Sequence, residues 1–538
     1  MKATIKDGIV YSPHPKVDIP VCSVYTALQE FLTASPERVA LVDEKVRLTR
    51  GEFFSQLRRY AAGFQAHGIG LGDRVCVHLD NSVENMVALF SITFTGASVL
   101  LSHPVLNESE PTACYETNHA DATHILTTPQ YASKVTAVKE KTNLKGLFII
   151  GDSIPGFVSV SAFVDLDDDD FKEVHIEDPK GTTLAVFYSS GTTGHAKGME
   201  ISHYSLVANM HLTKVLVSYQ PEDVLLAWYP ITYASGFMFI PVAACAGATC
   251  VIVQPGLTFE QFVYYVNKYK VTTLASVPTR LRFYLADMVR TGTKLPSIKT
   301  INVGGTVLTE TFARKILAAF EGVRSLRNHY GMSESCGVLC SPPKGEISSG
   351  NVGFPAPMVE LKFVNLDTGK KVGPRQYGEL YFRIPSVMKG YYKNSELVKE
   401  FMDDDGWCRS GDIMYYDEEG RVYFVDRVKD MIKCLDQQVS SMELEGLLQS
   451  HPSVADAAVV GVPKTKYGDA PTAFVVLRDP KFASPEIAAE LKDHVACKTE
   501  KFKHLYGGLL FVDHLPRNSN GKVLKHQLKL MYEKSKVY

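Results

Sequence analysis

The chain has 538 residues, of which 45% are hydrophobic and 22% charged, with 57 Lys and Arg against 59 Asp and Glu. The formal net charge of −2 argues against nucleic-acid binding through bulk charge, so we expect no nucleic-acid partner. The length exceeds one compact domain and no apolar run is long enough to cross a bilayer, which predicts two or more domains and no membrane span.

The termini and the cysteines bear on cellular location. The first twenty residues lack the apolar segment of a secretory signal. Ten cysteines are scattered without paired spacing, which is typical of free thiols in a reducing compartment. The last residues, Ser535 to Tyr538, differ from a peroxisomal signal of the Ser-Lys-Leu type. We therefore expect a cytosolic location, and a peroxisomal location and the oligomeric state stay open.

The first 180 residues alternate between strand-like and helix-like patterns. A strand-like run at 74–79 precedes a helix-like segment at 82–95 with apolar residues near one face. Two more strand-like runs follow at 124–126 and 147–150. Such alternation predicts parallel sheets flanked by helices. The acidic run at 165–170 is predicted to be a solvated linker rather than a metal site.

The alternation continues beyond residue 184, and the pattern changes near residue 353. Strand-like runs lie at 184–187, 225–229, 249–253, 272–277 and 300–303. Short alternating runs at 359–364 and 379–384, with Gly and Pro turns, predict a small antiparallel, β-barrel-like subdomain.

A charged junction at 426–433 precedes a last region of mixed pattern. Helices are predicted at 440–448 and 485–496, and strands at 457–462 and 474–477. The fold class is therefore α/β, with a large N-terminal domain over 1–428 and a small α+β domain over 429–538.

The segment from Tyr188 to Gly198 gives the strongest functional signal. It follows a strand-like run and holds three glycines, four hydroxyl side chains and one lysine. Glycines let a backbone approach a ligand closely, and lysine is suited to phosphate. The pattern predicts a cradle for a polyphosphate, although the spacing is not that of a Walker A box. The candidate binding residues are Ser189, Ser190, Gly191, Thr192, Thr193, Gly194 and Lys197.

This segment resembles the phosphate loop of the adenylate-forming superfamily, which includes acyl- and aryl-CoA synthetases, 4-coumarate–CoA ligases, beetle luciferases and adenylation domains of peptide synthetases. Four more segments resemble family motifs in family order. Residues 329–334 resemble the adenine-binding segment, 407–412 the ribose-binding segment, 426–433 the interdomain hinge and 516–522 the catalytic lysine loop. Five matches over nearly the whole chain are more specific than any single motif.

The resemblance implies a reaction in two steps. A carboxylate attacks the α-phosphate of ATP to give an acyl-adenylate and pyrophosphate, and a nucleophile, usually the CoA thiol, then displaces AMP. ATP, Mg²⁺ and CoA are the implied cofactors, and a small carboxylic acid is the implied partner. Such chemistry depends on positioning and charge neutralisation more than on covalent help.

The same resemblance assigns roles around the nucleotide. Tyr330 is placed against the adenine, the Ser333 hydroxyl at the α-phosphate, and Asp412 at the ribose hydroxyls. Glu334 is the implied Mg²⁺ carboxylate, and one carboxylate suits an ion that prefers phosphate and water as its other ligands. The full set implied to bind the nucleotide is Tyr330, Gly331, Met332, Ser333, Asp412 and Arg427.

Three lysines have implied roles in catalysis or motion. Lys522 bridges the carboxylate and the α-phosphate and offsets charge in the transition state. Lys433 matches a lysine that luciferase-like members present after rotation of the C-terminal domain. Lys429 matches the hinge residue about which that mobile domain, acting as a lid, rotates.

The acid pocket is expected between two wall segments. Tyr233 and Gly236 belong to one wall, and Gly304, Gly305 and Thr306 form the other. Small residues leave room for a bulky or elongated acid, and apolar neighbours favour an apolar or aromatic tail. The same residues would also suit an ordinary α/β core.

The chain departs from the family pattern just after the hinge. Asp436 replaces a glycine that lines the pantetheine tunnel in relatives, and Leu435 replaces a lysine. Three hypotheses stay open. The first is a fatty or aryl acid–CoA ligase, and the second is an adenylating or luciferase-like enzyme with an acceptor other than CoA. The third is a nucleotide-binding protein that has lost catalysis, which the retention of Lys522, Glu334 and Asp412 opposes.

Overall fold

The computed structural model describes residues 1–102, 116–189, 197–217, 219–306, 308–435, 437–517 and 522–532. Their strands form four sheets of six, eight, nine and five strands. The strands, in chain order, are β1 (Thr4–Lys6), β2 (Ile9–Tyr11), β3 (Val39–Val42), β4 (Arg47–Thr49), β5 (Arg74–His78), β6 (Ser98–Leu101), β7 (His124–Thr127), β8 (Gly146–Ile149), β9 (Val158–Ser159), β10 (Thr183–Ser189), β11 (Lys197–Ser202), β12 (Val224–Ala227), β13 (Thr249–Ile252), β14 (Thr273–Ser276), β15 (Thr300–Gly304), β16 (Ser325–Met332), β17 (Gly337–Ser341), β18 (Phe354–Pro355), β19 (Glu360–Val364), β20 (Gly378–Arg383), β21 (Gly390–Tyr391), β22 (Cys408–Tyr416), β23 (Val422–Arg427), β24 (Ile432–Cys434), β25 (Gln437–Val439), β26 (Val454–Lys464), β27 (Gly468–Leu477) and β28 (Gly508–Phe511).

Most α-helices begin at a residue whose side chain caps the first turn. Thr49 and Thr258 each start a capping box, with Glu52 and Gln261 as the reciprocal partners. The helices are α1 (Val24–Thr33), α2 (Arg50–Ala66), α3 (Val83–Phe94), α4 (Ala132–Glu140), α5 (His203–Val217), α6 (Ala234–Ala246), α7 (Phe259–Tyr269), α8 (Pro278–Thr291), α9 (Glu310–Ala319), α10 (Ser395–Phe401), α11 (Ser441–Gln449), α12 (Pro485–Ala496) and α13 (Lys525–Tyr532).

Two large sheets, mostly parallel, form the frame of the N-terminal part. The eight-stranded sheet has the order β21-β11-β10-β6-β5-β7-β8-β9, and the nine-stranded sheet has the order β18-β17-β16-β15-β14-β12-β13-β3-β4. The run from β16 to β3 is parallel throughout. The predicted α/β fold is confirmed.

The two faces of the nine-stranded sheet are buried in different cores. The largest core packs between the two large sheets around α1, α2, α3 and α6. A second core lies against α7, α8 and α9 and includes the stacked rings of Phe262 and Tyr284, whose centroids are 4.4 Å apart. Trp228 stacks on Phe262 at 5.7 Å in the same core. The sheet is therefore covered on both sides, as parallel sheets generally are.

The six-stranded sheet is antiparallel and joins distant parts of the sequence. Its order is β1-β2-β19-β20-β22-β23. The first two strands pair with each other, and β2 then pairs with β19 through Leu361 opposite Val10. The antiparallel structure predicted after residue 353 is therefore present, with two N-terminal strands added to its edge.

The last part of the chain builds a smaller sheet around β26 and β27. These two strands run antiparallel from Val454 opposite Leu477 to Lys464 opposite Gly468. Both are longer than the predicted runs at 457–462 and 474–477, whereas α12 spans the predicted 485–496. The buried side chains of α11 and α12, including Leu444 and Leu491, close a separate core on this sheet.

The acidic run at 165–170 forms short 3₁₀ turns on the surface. Arg58 contacts Asp168 at 3.7 Å and Asp169 at 3.3 Å. The carboxylates of Asp167, Asp168 and Asp169 lie within 4.8 Å of one another, and two of the three residues are exposed. In the described part of the chain, no helix combines the length and apolar character needed to cross a membrane.

Candidate active site

The carboxyl end of β16 brings the predicted adenine segment to the edge of the nine-stranded sheet. Ligands bind at this edge in open parallel sheets. Strand β17 passes so close to Gly331 that a side chain would not fit at this position. A Cβ atom at this position would lie 2.5 Å from the carbonyl oxygen of Gly337. The glycine therefore allows β16 and β17 to pair closely as antiparallel neighbours just before the chain reaches Ser333 and Glu334.

Tyr330 and Asp412 are joined by a short buried hydrogen bond. The Tyr330 hydroxyl donates to Asp412 Oδ2 at 2.6 Å, and both residues are less than 9% exposed. Burial raises the pKa of Asp412, while Arg427 and the Tyr330 bond oppose that rise. Burial and the Asp412 charge raise the pKa of Tyr330 well above its usual value. Tyr330 thus holds one oxygen of the predicted ribose-binding carboxylate.

Arg427 lies beside the same carboxylate. Asp412 on β22 is paired with Arg427 on β23, and Arg427 Nε is 3.6 Å from Asp412 Oδ1. The two carboxylate oxygens therefore face different partners, Tyr330 on one side and Arg427 on the other. Such a carboxylate has a fixed orientation, which suits it to recognise a pair of hydroxyl groups.

Glu334 and Lys197 approach each other through Tyr391, which the sequence reasoning missed. The Tyr391 hydroxyl donates to Glu334 Oε1 at 3.0 Å. Lys197 Nζ lies 5.8 Å from the centroid of the Tyr391 ring. Strand β21 places this tyrosine by pairing Tyr391 with Met199 of β11. The sequence around Tyr391 has no motif that marks it as a site residue. Its contact with Glu334 is visible only in the folded structure.

Lys429 and Lys522 complete a group of charged side chains around Asp412 and Glu334. Burial lowers the pKa of Lys522, repulsion from Arg427 and Lys429 lowers it further, and Asp412 and Glu334 oppose both effects. The Lys522 side chain also keeps solvent-exposed surface, so it is accessible to a ligand.

The pKa of Lys429 is lowered in the same way. Burial is the largest cause, repulsion from Arg427 is the next, and Lys197 also contributes. Asp430 and Asp412 act in the opposite direction. The members of this group, which we call the cation cluster, are Lys197, Arg427, Lys429 and Lys522.

The cation cluster has the charge distribution expected of a polyanion site. Lys522 interacts electrostatically with both Asp412 and Glu334, and Lys429 with Asp412, so the four cations and the two carboxylates lie within range of one another's charge. Repulsion among the cations is unfavourable in the free protein. Attraction between the cations and a polyphosphate bound among them would outweigh that repulsion. The four cations come from three separate segments of the chain, and Asp412 and Glu334 add two more, all of which the fold brings together.

The predicted acid walls lie at the same edge of the nine-stranded sheet. Tyr233 and Gly236 follow β12, and Gly304 ends β15, with β14 between the two strands. Gly305 has a φ of +80°, and Gly305 and Thr306 are both exposed. A small apolar cavity beside α6 is lined by Ala227, Tyr229, Ile231, Gly236, Phe239 and Ile240.

Gly236 has a packing role that does not involve a ligand. A Cβ atom on this residue would lie 2.0 Å from the carbonyl oxygen of Pro230 and 2.7 Å from its carbonyl carbon. Both of those atoms belong to the backbone, so they cannot rotate away as a side chain could. The first turn of α6 therefore requires glycine here for its own path.

Comparison with known proteins agrees with this geometry. Residues 28–392 match the AMP-binding enzyme family, and residues 443–522 match the AMP-binding enzyme C-terminal domain. The chain belongs to the AMP-binding enzymes.

Individual AMP-binding enzymes resemble the chain along nearly its full length. A probable 4-coumarate–CoA ligase 2 of Dictyostelium discoideum is 31% identical, with 98% of each chain covered. Luciferin 4-monooxygenase of Photinus pyralis is 30% identical over 93% of this chain and 92% of that one. The crystal structure of ATP-bound MatB from Rhodopseudomonas palustris superposes with a TM-score of 0.84 at 25% identity, covering 95% of this chain and 99% of the other. The resemblance to the adenylate-forming superfamily is thereby confirmed.

Several predicted residues of this AMP-binding enzyme lie outside the described part of the structure. They are Ser190, Gly191, Thr192, Thr193 and Gly194 of the phosphate loop, and Asp436 after the hinge. Ser189 ends β10 and Lys197 begins β11, so the two ends of the loop are placed on neighbouring antiparallel strands. The loop therefore leaves and re-enters the sheet at one point, next to Tyr391.

Lys433 and Leu435 lie on the C-terminal unit. Lys433 is exposed on β24. It is not among the charged groups that shift the pKa values of Lys429 and Lys522. Leu435 is also exposed and has a φ of 51°, a left-handed conformation that is uncommon for a side chain of this size. Its backbone amide donates to the Tyr467 carbonyl at 2.9 Å.

Further polar groups at the sheet edge were not identified from the sequence. In the described structure, both ring nitrogens of His329 and the hydroxyl of Thr232 are buried without a hydrogen-bond partner. Burial lowers the pKa of His329 to about 3, with a smaller contribution from Arg327. His329 pairs with Gly304 across β15 and β16, so the residue lies beside the predicted acid wall.

Proposed function

We propose that the protein activates a carboxylic acid with ATP and then transfers the acyl group to the thiol of CoA. The observation that carries this proposal is the cation cluster around Asp412 and Glu334, because its excess positive charge suits a polyphosphate beside a ribose. Similarity to a probable 4-coumarate–CoA ligase of Dictyostelium discoideum and to the ATP-bound MatB structure supports the same reaction.

In this proposal each part of the cluster has one role in adenylation. Asp412, held by Tyr330 at 2.6 Å, accepts hydrogen bonds from the ribose hydroxyls, and Arg427 lies beside it. The adenine lies along the segment that includes Gly331 and Met332. Lys522 offsets the negative charge that develops between the acid and the α-phosphate. Lys197, at the end of the phosphate loop, neutralises the departing pyrophosphate.

Glu334 is the proposed ligand for Mg²⁺, and the residues present fit that ion. Its carboxylate is partly accessible and is oriented by Tyr391 at 3.0 Å. Mg²⁺ binds through one or two carboxylates together with substrate phosphates and water, so a single Glu is sufficient. When bound, the ion would neutralise phosphate charge. Ser333, next to Glu334, is proposed to contact the α-phosphate.

The acid is proposed to bind between the two walls at the sheet edge. Tyr233 and Gly236 provide one side, and Gly304, Gly305 and Thr306 the other. The apolar side chains near this wall, including Ile231, Phe239 and Ile240, favour a fatty or aryl tail. The unpartnered ring nitrogens of His329 support a polar element at the wall that includes Gly304.

The two halves of the reaction are proposed to use two domains, residues 1–428 and 429–538. Separate cores in the two regions and separate family matches at 28–392 and 443–522 support this division. Lys429 is the proposed hinge residue. Lys433, exposed on β24, is proposed to enter the site when the smaller domain turns.

A second candidate function keeps the adenylation step and changes the acceptor. Leu435 adopts a left-handed conformation directly before Asp436, where relatives have a glycine. The luciferin 4-monooxygenase of Photinus pyralis, at 30% identity, shows that relatives of this similarity include oxygenases. This candidate predicts formation of an adenylate that CoA does not consume.

Pyrophosphate release with ATP and Mg²⁺, over a panel of fatty and aryl acids, tests the proposal. We expect acid-dependent release that Lys522→Ala reduces by about 100-fold or more, since removing one charge-stabilising group typically costs that much. Lys529→Ala is the matched control, because Lys529 is exposed on α13 seven residues further along. Equal rates in wild type and Lys522→Ala would contradict the role of Lys522.

The same assay with CoA separates the two candidate functions. Faster turnover together with an acyl-CoA product supports the ligase. An adenylate that persists in the presence of CoA supports a different acceptor. No release with any acid, despite saturable ATP binding, would support a nucleotide-binding protein without catalysis.

A further inference from the structure

A buried polar group connects the strand of Arg427 to the helix that follows Lys522. We call its members Asp426, Ser441, Glu445 and Lys525 the anchor group. Asp426 belongs to β23, Ser441 and Glu445 belong to α11, and Lys525 is the first residue of α13. The group lies beside the cation cluster, yet adenylation as proposed above assigns it no role.

Asp426 closes the N-terminal end of α11. Its side chain is 1% exposed, and its Oδ2 atom accepts hydrogen bonds from the Ser441 amide at 2.6 Å and the Ser441 hydroxyl at 2.6 Å. The Met442 amide and the Ser440 hydroxyl lie at 3.3 Å from the same oxygen. A carboxylate at this position satisfies free amides of the first turn and complements the helix dipole. Helix α11 is thereby fixed to β23.

Lys525 extends the connection from α11 to α13. Its Nζ atom donates to the Ser441 hydroxyl at 2.5 Å and lies 3.0 Å from Glu445 Oε1. The Glu445 carboxylate also accepts the Val459 amide at 2.9 Å. Both ionic side chains are 17% exposed. Attraction to Glu445, Asp426 and Asp430 raises the pKa of Lys525 and outweighs the effect of burial, so the lysine is charged.

The anchor group lies close to Lys522 along the chain. Lys525 follows Lys522 by three residues, a span of at most about 11 Å in an extended chain. The base of the lysine loop is closed by the Leu524 amide, which donates to the Pro516 carbonyl at 2.8 Å. Arg517 and Val523 form an antiparallel bridge across the same base. A shift of Lys525 is therefore transmitted to the lysine loop through short, bonded segments.

We propose that Lys525 is a positioning residue, which through Ser441 and Asp426 fixes the loop of Lys522 to the strand that carries Arg427. The inference rests on the proposed adenylation function. The anchor group sets the distance between Lys522 and the Asp412–Arg427 pair, because one end of the connection is Asp426, the neighbour of Arg427. A misplacement of about 1 Å at a reacting group lowers rates by about 100-fold, so a small movement of the loop is sufficient to impair the reaction.

The kinetic test uses Lys525→Met, which keeps the length of the side chain and removes its charge. We expect kcat for acid-dependent pyrophosphate release to fall about 100-fold while KM for ATP changes little. In a Lys522→Ala background, Lys525→Met should cause no further loss, because a residue that acts through Lys522 has nothing left to position. Lys525→Arg should restore much of the rate, and Lys529→Ala on the same helix is the matched control.

Equal losses from Lys525→Met in both backgrounds would overturn the proposal, because they would show an effect independent of Lys522. A raised KM for ATP with unchanged kcat would overturn it as well. If Lys525→Met does not fold, Glu445→Gln weakens the same contact while leaving Lys525 bonded to Ser441, and the same comparison is made with that variant.

Hydrogen exchange tests the anchor group without requiring any activity. We expect Lys525→Met to increase amide exchange in peptides that cover residues 516–524, while peptides of α12 stay unchanged. Unchanged exchange at 516–524 would overturn the proposal even for an active enzyme. If Lys525→Met increases exchange at 516–524 but the wild-type protein activates no acid, the structural role of the anchor group is supported and only the proposed function is contradicted.

Discussion

Replacement of Gly236 by alanine tests whether this glycine serves the fold or the acid. The sequence interpretation assigned its small size to space for a substrate. In the structure, the added Cβ atom would lie 2.0 Å from the Pro230 carbonyl oxygen, and the Tyr229 carbonyl oxygen is 3.1 Å away. A carbon and a carbonyl oxygen normally stay more than about 3.2 Å apart, so the backbone must shift by about 1 Å.

The magnitude follows from the stiffness of the atoms involved. Overpacking of a well-packed interior costs about 1–3 kcal/mol, and a clash with backbone belongs at the upper end of that range or above it. With about 2 °C of melting temperature lost per kcal/mol in larger domains, a cost of 3 kcal/mol corresponds to about 6 °C. We therefore expect Gly236→Ala to lower the melting temperature by about 6 °C or more, with every acid affected alike.

Thermal denaturation monitored by circular dichroism, with and without ATP, provides the measurement. Gly446→Ala is the matched control, because Gly446 lies within α11 and a Cβ atom there meets no atom within 4 Å. That control should gain about 0.5–1 kcal/mol from the better helix propensity of alanine. If Gly236→Ala melts within 1–2 °C of the wild type and only narrows the range of accepted acids, the steric reasoning is refuted.

Two further predictions concern buried polar groups. Tyr330→Phe removes the 2.6 Å bond to Asp412, and because bonds to charged groups contribute about 1.5–3 kcal/mol, we expect KM for ATP to rise at least tenfold in the pyrophosphate assay. The exposed Tyr377→Phe serves as its control, and unchanged KM in Tyr330→Phe would contradict the role of the bond. Burial lowers the pKa of His203 to about 4 and that of His329 to about 3, both from 6.5. Below pH 6.5 the unfolded chain therefore binds more protons than the folded protein. As the pH is lowered, the free energy of unfolding decreases by about 1.4 kcal/mol per pH unit for each histidine, until the pKa of the folded protein is reached. Urea denaturation between pH 5 and 7 measures this slope, and a His329→Asn variant with the wild-type slope would contradict it.

The sequence predicted the elements that depend on local pattern. Helix α12 was predicted at 485–496 because Ser484, Pro485 and an apolar period mark its start and face. Eight strands of the two large sheets were predicted within about three residues, since each is a short apolar run between turns, whereas β3, β6, β9 and β16 were not predicted. Helix α6 was recognised only as core, because Pro241 inside it and its uniformly apolar surface hide the helical period.

Contacts between distant segments could not be derived from local pattern. Tyr330 and Asp412 are 82 residues apart, and Tyr391 and Glu334 are 57 apart. Asp426 was described only as part of a hinge motif, although its hydrogen bonds to α11 depend on the whole C-terminal fold. The candidate site could therefore be assembled from the sequence only through family resemblance, while its orientation required the structure.

The edge of the six-stranded sheet has a consequence for synthesis on the ribosome. Strand β2 ends at Tyr11, and its partner β19 begins at Glu360, about 350 residues later in the chain. At an elongation rate of 5–20 residues per second, β1 and β2 remain without that partner for about 20–70 s. The side chains of residues 4–6 are exposed or half-buried and suit this interval, whereas Val10, which is fully buried in the folded protein, lacks its partner Leu361 until then. The N-terminal strands thus join the six-stranded sheet only after β19 has been made, although they are the first strands of the chain, and deletion of residues 1–11 should leave nascent-chain folding largely intact until β19 emerges.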